Sequence, residues 1–266
     1  MDKRVCVDTS KISLRQINNL VMRELVNDHQ LPRKLLMSSV ALGIFQKTAP
    51  KESSLFENDN DVLIGCVTYS NPVGRSAAAS ISELLDPSNV LELSYVWVED
   101  RPDLQNVESY CIGQSFHWLR KNRLDVKALI GYADTETGHI GIIYQSTNWL
   151  YQGDSLALMP NWSISLTGPT EYEWIHSRTV SEKFGSSNIE HLQKVIGKTF
   201  WRKRESKKNR YVYILERGAA RKKLITSLKH KTYPYPRVNN YVEFIEEIAV
   251  VEKDTPVANN PDAFFT

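Results

Sequence analysis

Strand-length apolar segments that alternate with amphipathic helical patterns are the feature that most constrains the fold of this chain. The strand-like segments are bounded by polar turns and are rich in Val, Leu and Ile, a composition typical of β-strands. They read "LLMSSVALGIF", "DVLIGCVTYS", "VLELSYVWVED", "VKALIGYAD", "WLYQG" and "RYVYILE". Because helices and strands alternate through most of the chain, we expect an α/β fold with a mixed sheet.

Helical periodicity predicts the intervening elements. "SLRQINNLVMRELVNDH" predicts a helix with Ser13 as its N-cap, and "VESYCIGQSFHWLRKN" a helix that Asn106 could cap. A short helix is expected from about Gly138 to Asn148, and two further helices at "NIEHLQKVIGKTF" and "RKKLITSLK". In "VLELSYVWVED", simple alternation predicts that four residues share one face: Leu91, Leu93, Tyr95 and Trp97.

The size and composition of the chain limit its class. A chain of 266 residues suits one large domain, or a domain with an appendage. The three cysteines are far apart and odd in number, which favours reduced thiols. No apolar run approaches the ~20 residues that span a bilayer, and no apolar signal core follows the N-terminus. We therefore expect a cytoplasmic protein with no membrane partner.

Positive charge is concentrated late in the chain. Residues 198–237 contain fourteen Lys or Arg and two Glu, although the whole chain has a formal net charge of only +2. Aromatic residues interleave with these cations, and such a pattern indicates an anionic partner, with double-stranded DNA as the leading candidate. The alternative is a solvated basic face. The predicted DNA contacts are Arg202, Lys203, Arg204, Lys207, Lys208, Arg210, Arg221, Lys222 and Lys223.

The run "GYADTETGHIGIIYQSTNWLYQG" is the first candidate site. Asp134 ends a strand, where α/β sheets tend to place their ligands. Tyr144 and Asn148 fall on one side of the following helix. Tyr144 could donate a proton to a leaving group while Asp134 accepts one or orients the acceptor. The structural alternative is that Asp134 caps the helix and Tyr144 packs in the core.

A second candidate is the start of the helix in "QNVESYCIG". Ser109 lies in its first turn, where free backbone N–H groups favour phosphate or carboxylate. The sequence contains no P-loop, dinucleotide fingerprint or nucleophile elbow, and its six His residues lack ligand spacing. No metal motif is present, although His29 could serve as an iron ligand; His139 sits in the turn after Asp134.

The segment "YADTETGHIGIIYQSTNWLYQG" resembles the signature of the phage Mom family, DNA-modifying proteins with the fold of GNAT N-acetyltransferases. The resemblance extends to "ELS", "NVES", "WIHSRTVSEKFG" and "YPYPR", roughly residues 60–237. It implies a GNAT-like α/β fold with a mixed, mostly antiparallel central sheet flanked by helices. It also implies carbamoylmethylation of the exocyclic amine of adenine, which protects phage DNA from host restriction enzymes.

The resemblance also implies a set of site residues. By motif position, Ser109, Asp134 and Tyr144 correspond to the family's functional residues, and His139 is taken as a further catalytic candidate. The small-molecule donor would be acetyl-CoA or another acyl donor, bound by Asn106, Ser109, Gly113 and Asn148. The predicted substrate-binding residues are Tyr69, Tyr95, Arg101 and Trp149.

Two positions depart from the family pattern. Tyr95 stands where members carry an Arg after Glu-Leu-Ser/Thr, and Arg101 in the next loop could replace that Arg. The acyl-CoA pyrophosphate loop, Arg/Gln-x-x-Gly-x-Gly/Ala, is absent between residues 98 and 113. Two other functions therefore stay open: an acetyltransferase of a small-molecule or protein amine, and a non-catalytic DNA-binding anti-restriction protein.

These observations predict three regions along the chain. Residues 1–197 are expected to form the GNAT-like catalytic core. Residues 198–237 would be a basic extension of the same domain that contacts DNA, and residues 238–266 an acidic tail that is loosely ordered or docks elsewhere.

Overall fold

Two separate sheets organise the chain in this computed structural model, which describes residues 8–28, 39–47, 61–72, 75–154, 161–170 and 173–249. One compact unit comprises residues 1–155 and 208–239, and the second comprises residues 156–207 and 240–266. The first segment of the second unit is thus inserted between two strands of the first unit, and its other segment follows residue 239. The strands are β1 (Ile12–Gln16), β2 (Val40–Lys47), β3 (Asp61–Ser70), β4 (Val90–Val98), β5 (Ala128–Asp134), β6 (Leu150–Asp154), β7 (Trp162–Ser165), β8 (Phe200–Arg204), β9 (Lys208–Ile214) and β10 (Ile245–Ile248).

The first unit contains a seven-stranded sheet in the order β1-β2-β3-β4-β5-β9-β6. Only β4 and β5 pair in parallel; every other neighbouring pair is antiparallel. This mixed, mostly antiparallel sheet flanked by helices is the GNAT-like α/β fold predicted from the sequence. The helices of the chain are α1 (Asn19–Asp28), α2 (Arg75–Ala79), α3 (Val107–Asn122), α4 (Ile142–Ser146), α5 (Ser177–Phe184), α6 (Ile189–Ile196) and α7 (Gly218–Thr226).

Alternation along the strands divides the apolar residues of the first unit between two faces. Leu129 faces the larger core, which α3 closes with Ile112 and Leu119. Ala128 and Ile130 face the opposite side, where α2 and α7 contribute a smaller cluster. Because β5 is buried on both faces, its sequence reads as a continuous apolar run and not as a strict alternation.

The second unit has its own small core. The sheet β10-β8-β7 packs against α5 and α6 through Ile164, Val180, Leu192 and Phe200. α6 begins where the side chain of Asn188 accepts a hydrogen bond from the N–H of His191 at 3.2 Å. The predicted helix at this position is confirmed, whereas the sequence analysis missed all three strands.

The first helix begins later than predicted. Ser13, the expected N-cap, lies in β1 opposite Phe45 of β2. α1 starts at Asn19, and the side chain of Asn18 accepts a hydrogen bond from the N–H of Val21 at 2.8 Å. Strand pairing with β2 therefore overrides the helical periodicity of the first six residues of that pattern.

A β-bulge in β4 corrects the predicted alternation of its side chains. Tyr69 of β3 pairs with Leu93 and the preceding Thr68 with Tyr95, so Ser94 is an extra residue. Leu93 packs in the α3-side core, whereas Tyr95 packs on the other face near Met22 and Cys66. The prediction that Leu93 and Tyr95 share a face was wrong, because the extra residue reverses the alternation.

The compact units do not follow the predicted boundaries at residues 197 and 237. Residues up to Lys207 belong to the second unit, whereas Lys208–Asn239 return to the first as β9 and α7. The start of the acidic tail is ordered: Ile245–Ile248 form β10, which pairs with β8. Residues 250–266 lie outside the described part of the chain.

Candidate active site

The two central strands separate at one end of the large sheet. β4 and β5 pair only from Val90↔Ala128 to Glu92↔Ile130. β4 continues to Val98, still paired with β3, and β5 continues to Asp134, still paired with β9. Beyond Glu92 and Ile130 the two facing strand edges therefore form an open wedge, where main-chain groups can be offered to a ligand.

Tyr144 lies at this wedge. Its side chain is 5% exposed, and its hydroxyl donates a hydrogen bond to the main-chain carbonyl of Tyr132 at 3.3 Å. Tyr132 is the second residue of β5 beyond the last pair with β4. The ring stacks on Tyr211 at a centroid distance of 4.8 Å and meets Trp149 edge-on at 5.0 Å. These contacts hold the hydroxyl at a fixed position beside β5.

Two glycines make room for this arrangement. A Cβ on Gly131 would lie 2.5 Å from Cε1 of Tyr144, so the tyrosine ring occupies the place of a side chain on β5. Gly141, with φ of 83°, begins α4, and a Cβ there would lie 2.5 Å from Tyr211. Gly138 also has positive φ, but a Cβ there would meet nothing within 4 Å. Gly141 therefore lets the backbone pack directly against the ring of Tyr211.

Tyr211 supports Tyr144 from β9. It is fully buried and its hydroxyl donates to the carbonyl of Ile140 at 2.5 Å. Burial raises the pKa of Tyr211 to about 12, which the hydrogen bond from Gln145 opposes. Its hydroxyl therefore stays protonated at neutral pH and holds the turn before α4. No sequence pattern marked this residue as part of the site.

Asp134 lies on the other face of β5. Alternation along "GYAD" places Tyr132 and Asp134 opposite Ala133, which packs in the same core as Tyr144. The carboxylate of Asp134 accepts the N–H of Glu136 at 3.1 Å and lies 3.4 Å from Nζ of Lys208. It thus closes the turn that leads to α4 but does not cap this helix, whose N-cap is Gly141, so the predicted capping alternative was wrong. His139 is exposed in this turn, and its N–H donates to the carbonyl of Asp134 at 3.2 Å.

The start of α3 differs from the predicted cap. Asn106 occupies the N-cap position with φ of 67° and makes no side-chain capping bond, so that prediction was wrong. The hydroxyl of Ser109 donates to the carbonyl of Asn106 at 3.1 Å. Gly113 lies further along the helix, and a Cβ there would meet nothing within 4 Å.

Acidic residues dominate the loop that leads into α3. Residues 99–108 contain four acids and a single base, Arg101. Glu108 lies in the first helical turn, and burial raises the pKa of its carboxyl. The backbone N–H groups of this turn fit an oxyanion. The surrounding negative charge, however, does not fit the pyrophosphate of coenzyme A.

Arg101 and Tyr95 are held by neighbouring residues. The guanidinium of Arg101 donates to the side chain of Gln46 and lies 3.5 Å from Glu99 and 3.3 Å from Asp103. Its guanidinium is therefore held by a side chain of β2 and by two acids of its own loop. The bulge directs Tyr95 towards the α1 side of the sheet. The structure does not bring these two residues to Tyr144.

Two predicted substrate-binding rings lie in the core. Tyr69 is fully buried, and its hydroxyl shares a 2.6 Å hydrogen bond with Ser115. Burial raises the pKa of Tyr69 above its usual value. Trp149 is also fully buried. Neither ring has an exposed face on which a displaced base could stack, whereas the nearby Asn148 is exposed with φ of 60°.

The predicted DNA contacts are divided between the two units. In the second unit, Arg202 lies 4.0 Å above the ring of Trp162 and pairs with Glu246 of β10. Nζ of Lys203 lies 3.9 Å from Glu243. The acidic segment after Asn239 thus neutralises two of the predicted cations. The side chains of two others in this unit are exposed: Arg204 and Lys207.

In the first unit, the predicted contacts differ among themselves in burial. Arg221 donates to the carbonyl of Ile214, whereas Lys222 and Lys223 are exposed on α7. Arg210 is only 8% exposed, in the middle of the sheet, so it cannot serve as a surface contact to a DNA backbone. Strand alternation could have revealed this, because Arg210 and Val212 occupy the same face of β9 and Val212 is fully buried.

The described part of the chain contains no group of three His, Cys, Asp or Glu side chains suited to a metal ion. His29, the suggested iron ligand, lies outside the described residues. Cys66 and Cys111 are free and buried, and burial raises the pKa of each thiol to about 12. Within the same residues, no helix has the length and apolarity needed to cross a bilayer.

Comparison with solved structures finds distant similarity to acetyltransferases. Arabidopsis thaliana NAA60 in complex with acetyl-CoA is 11% identical, with a TM-score of 0.42 over 76% of this chain and 99% of its own. Salmonella typhimurium yncA, a putative acetyltransferase solved with acetyl-CoA, is 9% identical, with a TM-score of 0.41 over 78% and 96%. Spermidine N-acetyltransferase from Vibrio cholerae, in complex with CoA and spermine, is 9% identical, with a TM-score of 0.38 over 77% and 96%.

Comparison of the sequence itself gives a family. No curated protein sequence matches the chain. The profile of the Mom protein family matches residues 11–237, which include the wedge between β4 and β5, Tyr144 and the whole of β9. The chain belongs to the Mom protein family.

Proposed function

We propose that this protein is a DNA-modifying transferase that attaches a carbamoylmethyl-type group to the exocyclic amine of adenine and so protects phage DNA from host restriction. The observation that carries the proposal is the position of Tyr144 within the region that matches the Mom family. Its hydroxyl is fixed against the carbonyl of Tyr132, where β4 and β5 separate.

In the proposed reaction the amine nitrogen of adenine forms a new bond to carbon as the donor's bond to its leaving group breaks. The amine loses one proton and the leaving group gains one. Tyr144 supplies or polarises the proton for the leaving group, because its hydroxyl is buried and positioned by two aromatic contacts. Asp134, on the other face of β5, acts as a positioning residue that keeps the turn before α4 in place, and the proton that the amine loses passes to solvent.

The adenine amine is paired inside duplex DNA, so the base must leave the stack to be modified. Exposed cations such as Lys222 and Lys223 would hold the phosphates of the duplex. Since Tyr69 and Trp149 are buried, an exposed ring such as that of Tyr233 suits the displaced base better. The donor is expected to be a carrier whose leaving group is bonded to the CH2 carbon of the transferred group, with no pyrophosphate placed at the acidic start of α3.

The test is to express the chain in bacteria, digest the DNA to nucleosides and measure deoxyadenosine by mass spectrometry. The expected result is a heavier deoxyadenosine whose extra mass equals that of a carbamoylmethyl group. Unmodified deoxyadenosine in cells that contain folded protein would refute the proposal. Incubating the purified chain with acetyl-CoA and a small-molecule amine tests the alternative acetyltransferase, for which product formation without any DNA change is diagnostic.

A further inference from the structure

Arg210 is a buried cation, and two nitrogens of its guanidinium group make no hydrogen bond. It lies on β9 and is 8% exposed, yet its Nε and one terminal nitrogen, Nη2, are buried without a hydrogen-bond partner. Burial lowers the pKa of Arg210, although its ordinary value is so high that the group stays charged at neutral pH. A buried charge with two open donors is costly, so the arrangement requires an explanation.

The two open nitrogens share one edge of the planar guanidinium. Nε–H and Nη2–H point in the same direction and form the fork that binds a carboxylate or phosphate through two parallel hydrogen bonds. No other side-chain type presents this pair of donors. The open edge of Arg210 therefore matches a planar oxyanion better than it matches a single water molecule.

A second buried polar group lies beside it. Tyr151 of β6 pairs with Tyr211 of β9 and Asp154 with Asn209, so a β-bulge places both Gln152 and Gly153 opposite Arg210. Gln152 is 6% exposed; its amide nitrogen donates to the carbonyl of His230 at 3.2 Å, whereas its Oε1 has no partner. The site thus offers two open donors for an oxyanion and one open acceptor for an N–H group.

The strand on the other side of Arg210, β5, borders the wedge. Tyr132 of β5 pairs with Arg210 on the side away from Gln152. The carbonyl of Tyr132 accepts the hydroxyl of Tyr144, so Arg210 and Tyr144 approach one β5 residue from opposite faces of the sheet, Arg210 by strand pairing and Tyr144 by a hydrogen bond. Burial and the nearby charges of Arg210 and Lys229 lower the pKa of His230, which favours the neutral form of its ring.

We propose that Arg210 and Gln152 form a binding site for a small carboxylate that carries an N–H group, with the carboxylate on the guanidinium edge of Arg210 and the N–H on Oε1 of Gln152. A duplex phosphate does not fit, because the DNA backbone cannot reach a side chain buried in the middle of a sheet. Under the proposed function, this molecule is a ligand that the transferase holds beside Tyr132, on the face of β5 away from Tyr144.

Thermal unfolding of the full chain tests the site, with glycine, acetate, methylammonium and inorganic phosphate as probes. Glycine and acetate are expected to raise the Tm with saturation, and methylammonium is not. The Tm should respond to glycine at a lower concentration than to acetate, because only glycine also supplies an N–H to Gln152. No shift with either carboxylate, or a shift with phosphate as large as with glycine, would overturn the assignment.

Substitutions test whether glycine binds at Arg210. Arg210→Met is expected to weaken glycine binding at least about tenfold, whereas Lys121→Met, which removes an exposed cation of the same unit, leaves it unchanged. Without ligand, Arg210→Met should unfold at the same or a higher Tm, because it removes a buried charge with open donors. A lower Tm with unchanged glycine binding would identify Arg210 as a structural cation and overturn the proposal.

Arg210→Lys covers the case in which Arg210→Met does not fold. Lysine retains the charge but cannot provide two parallel donors, so glycine binding is expected to weaken about tenfold. Undiminished binding would contradict the fork geometry. These measurements need no DNA, so they are independent of the nucleoside assay: modified adenine without glycine binding refutes only this site, and glycine binding without modified adenine refutes only the proposed function.

Discussion

The hydroxyl of Tyr144 on α4 donates a hydrogen bond to the carbonyl of Tyr132 on β5, where β5 has parted from β4. Removing this hydroxyl is the most direct test of the site. In Tyr144→Phe we expect adenine modification to be lost while the ring keeps its contacts with Tyr211 and Trp149. The free energy of unfolding should fall by about 1 kcal/mol or less.

Nucleoside mass spectrometry and urea unfolding measure the two effects. Tyr213→Phe is the matched control, because Tyr213 packs against the same core and its hydroxyl accepts a hydrogen bond from Arg120 at 3.1 Å. The control should keep full modification. Equal loss in both variants would mean that Tyr144 acts only through packing.

Gly131→Ala displaces the Tyr144 ring without removing any functional group. The new Cβ would lie 2.5 Å from Cε1 of Tyr144, so the ring must move away from β5. We expect strongly reduced modification and a loss of about 1–3 kcal/mol in the free energy of unfolding from overpacking.

The partner experiment is Gly113→Ala on α3, where a Cβ meets nothing within 4 Å. This change should stabilise the helix by up to about 1 kcal/mol and leave modification intact. A loss of modification in Gly113→Ala would instead support the predicted role of Gly113 in binding the donor. Thermal unfolding and the nucleoside assay distinguish the two results.

Glu246→Gln tests whether the acidic segment limits DNA binding by the second unit. Glu246 pairs with Arg202, which also lies over Trp162. Losing the carboxylate frees the guanidinium for a phosphate, so we expect tighter binding to duplex DNA at low salt. The slope of log affinity against log salt concentration should steepen by the amount that about one additional phosphate contact contributes. Fluorescence anisotropy measures both quantities, and an unchanged slope would mean that Arg202 does not contact DNA.

Alkaline stability should depend on Tyr211. Its pKa rises from the usual value of 10 to about 12 because burial disfavours the phenolate. A raised pKa in the folded state stabilises the protein fully below pH 10, and this stabilisation is lost as pH rises from 10 to 12. Tyr211→Phe removes this contribution, so its stability should fall less steeply in that window. Urea unfolding at pH 9, 10 and 11 measures how the free energy of unfolding changes with pH. Parallel curves for the wild type and Tyr211→Phe would contradict the prediction.

Periodicity predicted much of the fold because most elements carry their own apolar signal. β3 and α3 were predicted over their observed ranges, since each has a continuous pattern between polar boundaries. The bulge at Ser94 could not be predicted, because an extra residue in β4 is defined only by its pairing with β3. The same holds for the division of the basic region, which depends on Lys208 starting a strand beside β5.

The candidate site was only partly visible in the sequence. Tyr144 and Asp134 are close in the chain, and motif reading placed them in one loop and helix. Strand alternation along β5 predicts that Asp134 lies on the face away from Tyr144. It does not predict which residues contact Tyr144. Tyr211 lies 67 positions further along, and only the sheet order brings it under Tyr144. Charge counting also grouped Arg210 with surface cations, because composition does not report burial.

The insertion between β6 and β9 has a consequence for the order in which the site is completed during synthesis. Tyr144 stacks on Tyr211, but residues 156–207 of the second unit are translated between them. A ribosome-bound chain that stops within this insertion contains the tyrosine proposed for catalysis without the ring beneath it or the strand that carries Arg210. The proposed activity is therefore expected only at a late step of translation, after the inserted segment and β9 have left the ribosome.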